Sequence, residues 1–179
     1  VVPVKYDATG VDISCDLKVK QYILDKNTKL LPNLKLLAGI NILPTILNPI
    51  QGFEPFSKGD SVILAHPQYQ MKTVALSHVK EPAIITTTGA CTFPDYSQSK
   101  QGEKAEFNHS IGALVVEQDG DEFHIRALYS GADGVFYDLN TRYSPDGISE
   151  GHSISALVVG DEHVIHIDPK IGDALYGEN

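Results

Sequence analysis

Asp161 and His163 set a carboxylate and an imidazole two residues apart, in Gly160-Asp161-Glu162-His163, directly after the apolar run Ala156-Leu157-Val158-Val159. Ligands of these two types hold divalent ions that polarise a phosphoryl oxygen and lower the pKa of bound water. If the apolar run is a strand, residues two apart share a side, so both groups project together where the backbone leaves the sheet. Open α/β sheets place their ligands at such strand ends. A surface turn can carry the same residues with no ligand, and two ligands do not complete a metal centre. The remaining ones must come from earlier in the chain, from another chain or from sequence beyond Asn179.

Other side chains offer weaker chemistry. His109, near Glu106 and ahead of a hairpin, could act as a general base or a phosphate-binding imidazole, or simply hydrogen-bond within a turn or the core. His124 and Arg126 share the polar face of one strand, where Arg126 could hold a phosphate or carboxylate, or face solvent. His166 alternates away from His163. His66, His78 and His152 stand beside proline or turn residues and carry no assignment. Asp119, Asp121 and Glu122 gather at a turn that could attract a cation, although an exposed charged turn is far the commoner reading of such residues. The chain contains no Gly-x-x-x-x-Gly-Lys loop, dinucleotide fingerprint, zinc-finger spacing or Gly-x-Ser-x-Gly elbow, so nucleoside-triphosphate, NAD and serine-hydrolase readings have no motif behind them.

The elements that must position these groups are mostly short strands. Lys5 to Leu24 is mixed, and Asp25-Lys26-Asn27 signals a turn. Asn33 to Leu43 is expected as a strand and Pro44 to Asp60 as an irregular loop, because prolines 44, 49 and 55 cannot sit inside a long helix. Ser61 to His66, Met71 to Leu76 and Ala83 to Thr88 follow as strands, the last dense in β-branched residues. The polar stretch Phe93 to Lys104 is expected as a loop. Ile111 to Glu117 and Glu122 to Leu128 flank Asp119-Gly120, a hairpin signature. Val135 to Leu139 is a further strand and Ser144-Pro145-Asp146-Gly147 a turn. Ile154 to Val159 is an apolar strand. Asp168 is placed to cap a short helix with Pro169 first and Gly177 just past its end.

Composition bounds the partners. With 179 residues, 42% hydrophobic, the chain can build one ordinary domain or a small domain with part of a second. A formal net charge of −9 without any long basic run disfavours general coating of DNA, which needs a cationic face, while leaving a local basic patch or a metal bridging to phosphate open. Cys15 and Cys91 form neither a CxxC pair nor a framework, and two reduced thiols are the simpler expectation than a disulfide between them. There is no run of apolar residues long enough for a membrane-spanning helix and no signal-peptide pattern. Val1 rather than Met at the first position suggests processing or excision from a longer chain.

The tail Leu157-Val158-Val159-Gly160-Asp161-Glu162-His163 resembles the first motif of the calcineurin-like metallophosphoesterases, in which an Asp and a His two residues on begin a dinuclear centre. Upstream, His66-Pro67, Thr87-Thr88-Gly89-Ala90, Lys104-Ala105-Glu106-Phe107-Asn108-His109, Gly112-Ala113 and Asp133-Gly134-Val135-Phe136-Tyr137-Asp138-Leu139 resemble the segment ahead of this motif in tailed-phage proteins, among them early DNA-transfer and exonuclease-type proteins. The similarity runs from about Asn33 onward. It departs from the complete family after His163, where no bridging Gly-Asp, Asn-His pair or later histidines follow. Asn108-His109 has the right residue types but precedes the first motif, so no ligand role is transferred to it.

These readings together give an α+β, β-rich fold of mostly antiparallel short strands and a hairpin, with a C-terminal strand, turn and helix resembling the start of an α/β metallophosphoesterase domain. Residues 1–32 would be an irregular N-terminal segment, 33–150 a β-rich accessory domain and 151–179 the start of a truncated catalytic domain. The resemblance implies phosphodiester or nucleic-acid hydrolysis in a longer protein, a Mn-, Fe- or Zn-type ion on Asp161 and His163, and location in the host cytoplasm. The piece alone would then be inactive. His109 and Arg126 are the candidate substrate contacts. A second reading makes the chain a non-catalytic module binding DNA, a phage or host protein, or a second copy of itself. A third makes it a small complete enzyme using His109 with Glu106 or Asp138.

Overall fold

Residues 2–3, 18, 21–75, 82–153, 155–156 and 168–177 are described by a computed structural model. Its centre is a five-stranded sheet in which Leu34–Leu37 (β4), Ser61–Leu64 (β5) and Ala83–Thr87 (β7) run parallel to one another. Thr28–Leu31 (β3) and Met71–Val74 (β6) close its two edges antiparallel, giving the order β3-β4-β5-β7-β6. Parallel strands with both faces covered need apolar or β-branched residues throughout rather than alternation. Leu34, Val62, Leu64 and Ile85 are accordingly at 0% exposure, on both sides of the sheet.

Two different structures cover the two faces. On one, Leu37, Val62, Leu64 and Ile85 pack with Ile42 and Ile50 of the segment between β4 and β5, bordered by Ile40, Phe53 and Val74. On the other, Leu34, Leu36 and Ile63 receive Leu114, Val116, Phe123 and Ile125. Those four come from the hairpin of Gly112–Asp119 (β8) and Glu122–Tyr129 (β9), paired from Gly112↔Tyr129 to Asp119↔Glu122. Gly120 takes φ +60 in the turn, as the Asp-Gly signature requires. The apolar alternation read along β9 is therefore what docks the hairpin onto the sheet.

Among the described residues most strand pairings are antiparallel, as expected, and helices are few. The remaining strands are Val2–Pro3 (β1) beside Ile23–Leu24 (β2), in parallel, and the antiparallel set Phe136–Asp138 (β10), Thr141–Ser144 (β11) and Gly147–Ser149 (β12). β10 stops at Asp138 because Leu139 adopts φ +53, outside the strand region. The turn at Ser144 to Gly147 joins β11 to β12 as read from its Pro-Asp-Gly.

Several elements differ from the sequence expectations. The strand expected over Asn33 to Leu43 ends at Leu37, where Ile40 N–H bonds to Leu37 O and the chain turns through Gly39. The loop from Pro44 to Asp60 contains one helical turn, Glu54–Ser57 (α1), with Pro55 inside its first turn, where no N–H is missed. The polar stretch expected as a loop to Lys104 instead enters an eight-residue helix, Lys100–Phe107 (α2), whose N-cap Ser99 accepts from Gly102 N–H at 3.1 Å. Gly102 obscured that helix, yet it fits because its missing side chain lets Ser97 O approach.

β3 lies ahead of Asn33 and is hydrogen-bonded to β4, so the sheet draws on residues before that position. Near the C-terminus, Pro169–Tyr176 (α3) forms as expected, with Asp168 Oδ1 accepting from Lys170 N–H at 2.8 Å and Gly177 at the C-cap. The strand expected over Ile154 to Val159 falls largely, and Gly160 to Ile167 wholly, outside the described residues.

Candidate functional site

Polar side chains collect where the parallel strands end. β5 runs into Ala65-His66-Pro67 and β7 into Thr88-Gly89-Ala90, with Asn108 and His109 brought alongside by the end of α2. Pro67 O accepts from Ser110 N–H, and Ala90 exchanges backbone bonds with Ser110 and Gly112, so this corner is knitted to the root of the hairpin. Gly89 sits at φ +71, where a Cβ would lie 3.2 Å from Ser110 O.

His66 is only 3% exposed. Its Nδ1 accepts the Gln68 N–H at 3.1 Å, which leaves the ring proton on Nε2, donating to Leu43 O at 3.1 Å. That pairing matches the Nε2–H tautomer of the ring, with Gln68 O a further 3.4 Å neighbour of Nδ1. Asn108, 4% exposed, donates from Nδ2 to Pro44 O at 3.2 Å, and Gln70 Nε2 donates to Leu47 O at 2.8 Å. Thr87 Oγ1 accepts from Gln70 N–H and donates to Gln68 O, both at 2.7 Å, fixing the segment that carries those glutamines.

The consequence is an inverted loop. Carbonyls of the 41–51 strap face inward onto His66, Asn108 and Gln70, while Leu43, Ile46 and Leu47 point outward at 58%, 40% and 59% exposure. Beside it opens a shallow groove of about 590 Å³ lined by Leu47, Asn48, Ile50, Tyr69, Gln70 and Met71. None of these lining residues carries a charge.

His109 lies at the same corner but is engaged differently. Thr92 O can only accept, so His109 Nε2 donates to it at 2.8 Å, and Nδ1 accepts the Tyr96 hydroxyl at 2.9 Å. Burial, and then the charge of Glu106, push the Tyr96 phenol above its usual pKa. The imidazole is thus paired with a phenol that resists ionisation.

Arg126 belongs to another corner. Its Nε and Nη2 meet the two carboxylate oxygens of Asp138 at 2.9 and 3.2 Å, and Nη1 meets Glu117. Hydrogen bonding to Asp138, then to Glu117, raises the already high pKa of the guanidinium. The bidentate fork ties β9 to β10. Three of its donors therefore face carboxylates of this chain, and no hydrogen bond or ion pair joins Arg126 to His109 among the described residues. Asp138, in turn, is committed to Arg126 rather than to His109. His124 and the hairpin-turn acids Asp119, Asp121 and Glu122 are exposed.

Asp161 and His163, the expected metal ligands, lie outside the described residues, as do His78 and His166. Among the described residues no group of three or more His, Cys, Asp or Glu gathers as a metal cluster. No described helix is long and apolar enough to cross a membrane. Sequence reasoning passed over His66, Asn108 and Tyr96. For His66 the available signal was its place at the end of an apolar strand immediately before a proline. Tyr96, thirteen residues from His109, had none.

The chain is 35% identical over 178 residues to Protein A1 of Escherichia phage T5. That similarity covers 94% of this chain and 32% of the phage protein, so the chain spans about a third of the length of the curated relative it matches. The similarity supports a phage origin. No family model matches the chain, and no solved structure matches it.

Proposed function

We propose that this chain supplies a β-rich accessory unit and the first metal-ligand motif of a phage metal-dependent phosphoesterase, acting on phosphodiesters, nucleic acid among them, in a longer polypeptide. The observation that carries the reading is an order along the chain. A β-rich unit is followed by an apolar run ending in Gly160-Asp161-Glu162-His163, in a sequence similar to a phage protein about three times as long. The donor set suits the group: Asp161 and His163 are a hard and a borderline ligand, and would hold one Mn-, Fe- or Zn-type ion. Such an ion, when bound, polarises a phosphoryl oxygen and acidifies water. The unit by itself is proposed not to hydrolyse.

Metal content by mass spectrometry and the hydrolysis of bis-p-nitrophenyl phosphate, both measured on the full encoded polypeptide, test this reading. Asp161→Ala should lower bound metal and reduce the rate by orders of magnitude. Equal metal and equal rate in the two proteins would reject it.

A second reading, the β-rich unit as an interaction module, is favoured by the strap. Exposing Leu43, Ile46 and Leu47 on a backbone anchored by buried His66 and Asn108 presents apolar area with little ordering left to lose on binding. Replacing Leu43 and Leu47 with Ser leaves those anchors intact. On this reading the change alters assembly without altering stability by more than about 0.5 kcal/mol, as sedimentation and urea unfolding would show.

A further inference from the structure

Among the described residues, no strand pairs with the outer edge of β6 in the central sheet. Thr87 N–H bonds to Gln70 O at 3.0 Å, and β6 pairs with β7 in the register Met71↔Thr86 to Val74↔Ala83. In an antiparallel ladder the inward-bonding residues alternate. Gln70, Lys72 and Val74 therefore turn their peptide groups to β7, and Met71 and Thr73 turn theirs away from the sheet. No described strand lies on that side.

Native sheets usually protect such an edge with a projecting charge, a proline or a bulge. β6 has neither proline nor bulge. Its one charge, Lys72, is drawn onto Glu54 of α1, whose carboxyl the ion pair holds below its ordinary pKa. Met71 and Thr73, the outward-bonding residues, are exposed and neutral, Met71 at 54%. The groove beside Leu47 and Ile50 opens at the start of this same edge.

We propose that the β6 edge pairs with the β6 edge of a second copy of this chain, in antiparallel register about a two-fold axis at Thr73. An edge strand is self-complementary under a two-fold axis, since each outward N–H then meets an outward carbonyl of the same sequence. Placing the axis at Thr73 sets Thr73 against Thr73 of the second copy and Lys72 against its Val74. Threonine pairs are favourable cross-strand neighbours. The alternative register, about Lys72, would set two lysines opposite each other and is disfavoured. Pairing joins the two five-stranded sheets edge to edge. The inference rests on reading the β-rich unit as an interaction module, and is independent of any metal on Asp161 and His163.

Each copy carries a formal charge of −9, so the pair is opposed by long-range repulsion that salt screens. Association should tighten from about 0.05 M to about 0.5 M salt, the reverse of an ion-pair interface. Sedimentation equilibrium of the 179-residue chain, from about 1 µM to about 1 mM, is the test. A monomer–dimer equilibrium is expected, weakened at least about tenfold by Thr73→Pro, which removes an outward donor and no bond to β7. Lys72→Pro, which removes an inward bond, should instead destabilise the fold, and circular dichroism separates the two effects. A wild type that stays monomeric throughout, or a folded Thr73→Pro protein that dimerises as tightly as wild type, overturns the proposal. A monomeric wild type whose assembly with other proteins still depends on Leu43 and Leu47 would sink the self-pairing alone and leave the interaction-module reading standing.

Discussion

His66 shows how much one buried polar side chain can organise when both of its ring nitrogens are matched. The Gln68 N–H and the Leu43 carbonyl fix its tautomer, and through Leu43 the imidazole holds a loop whose aliphatic side chains face water. Substituting His66→Ala should open a cavity and orphan two backbone groups. The expected loss is about 2 to 4 kcal/mol in urea unfolding, with faster amide exchange through 41–51. The Tyr96–His109 pair is smaller in scale: Tyr96→Phe should cost no more than about 1 kcal/mol, since it removes one part-buried hydrogen bond. Nitrogen NMR of His109 should show the Nε2-protonated tautomer in the wild type, as required by its carbonyl partner Thr92. Appreciable Nδ1 protonation in the neutral ring would contradict the geometry. Residue types alone made His109 and Arg126 candidates for binding substrate; the structure adds their partners within the chain, Tyr96 and Thr92 for the one and Asp138 with Glu117 for the other. Such partners are distant in sequence, and their identity follows from chain folding rather than from local spacing.

Among the elements, α2 is the one that local reading missed and that packing explains. Ser99 is a good N-cap, but Gly102 in the first turn lowers intrinsic helix propensity and a polar neighbourhood masks the rest. A Cβ on Gly102 would fall 1.8 Å from Ser97 O. Ala at this position would gain about 1 kcal/mol of helix propensity, yet the clash is with backbone that cannot simply rotate away. Gly102→Ala is therefore expected to be net destabilising by about 1 to 3 kcal/mol, measured by thermal and urea unfolding. A stabilised variant would show that the Ser97 loop yields easily. The hairpin is the opposite case. The Asp-Gly turn and the alternation of Phe123 and Ile125 with polar neighbours state both its existence and its inner face, and the structure docks that face on Leu34, Leu36 and Ile63. α3 was equally legible, because Asp168, Pro169 and Gly177 each act within a turn of their own position.

At the scale of the molecule, the tyrosines give a pH dependence with a definite sign. Tyr96 and Tyr129 both have pKa values raised above the usual 10.0, first by partial desolvation and then by Glu106 and Tyr69 respectively, the effect at Tyr129 being screened because that residue is 46% exposed. The neutral phenol is thus favoured in the folded state. The unfolded chain ionises first as pH climbs, so this stabilisation is whole below about pH 10 and is lost as pH rises through the folded-state values. Urea midpoints should fall progressively above about pH 10, and Tyr129→Phe should flatten that fall. An unchanged slope would mean that Tyr129 is not shielded. Raising salt should also relieve the repulsion of a −9 chain, acting on stability and on self-association in the same direction.

What the amino-acid order determined by itself was whatever acts over a few residues: the hairpin, the capped C-terminal helix, most of the strand positions, the acidic balance and the Gly-Asp-x-His pattern that suggests a metal. Only tertiary structure decided that β4, β5 and β7 run parallel, that β3 joins the same sheet, and that the strap turns its carbonyls inward onto His66 and Asn108. The physical reason is one of range. Caps, turns and side-chain alternation are satisfied by neighbours in the chain, whereas strand direction and the partners of buried polar groups depend on which distant segments exclude water together.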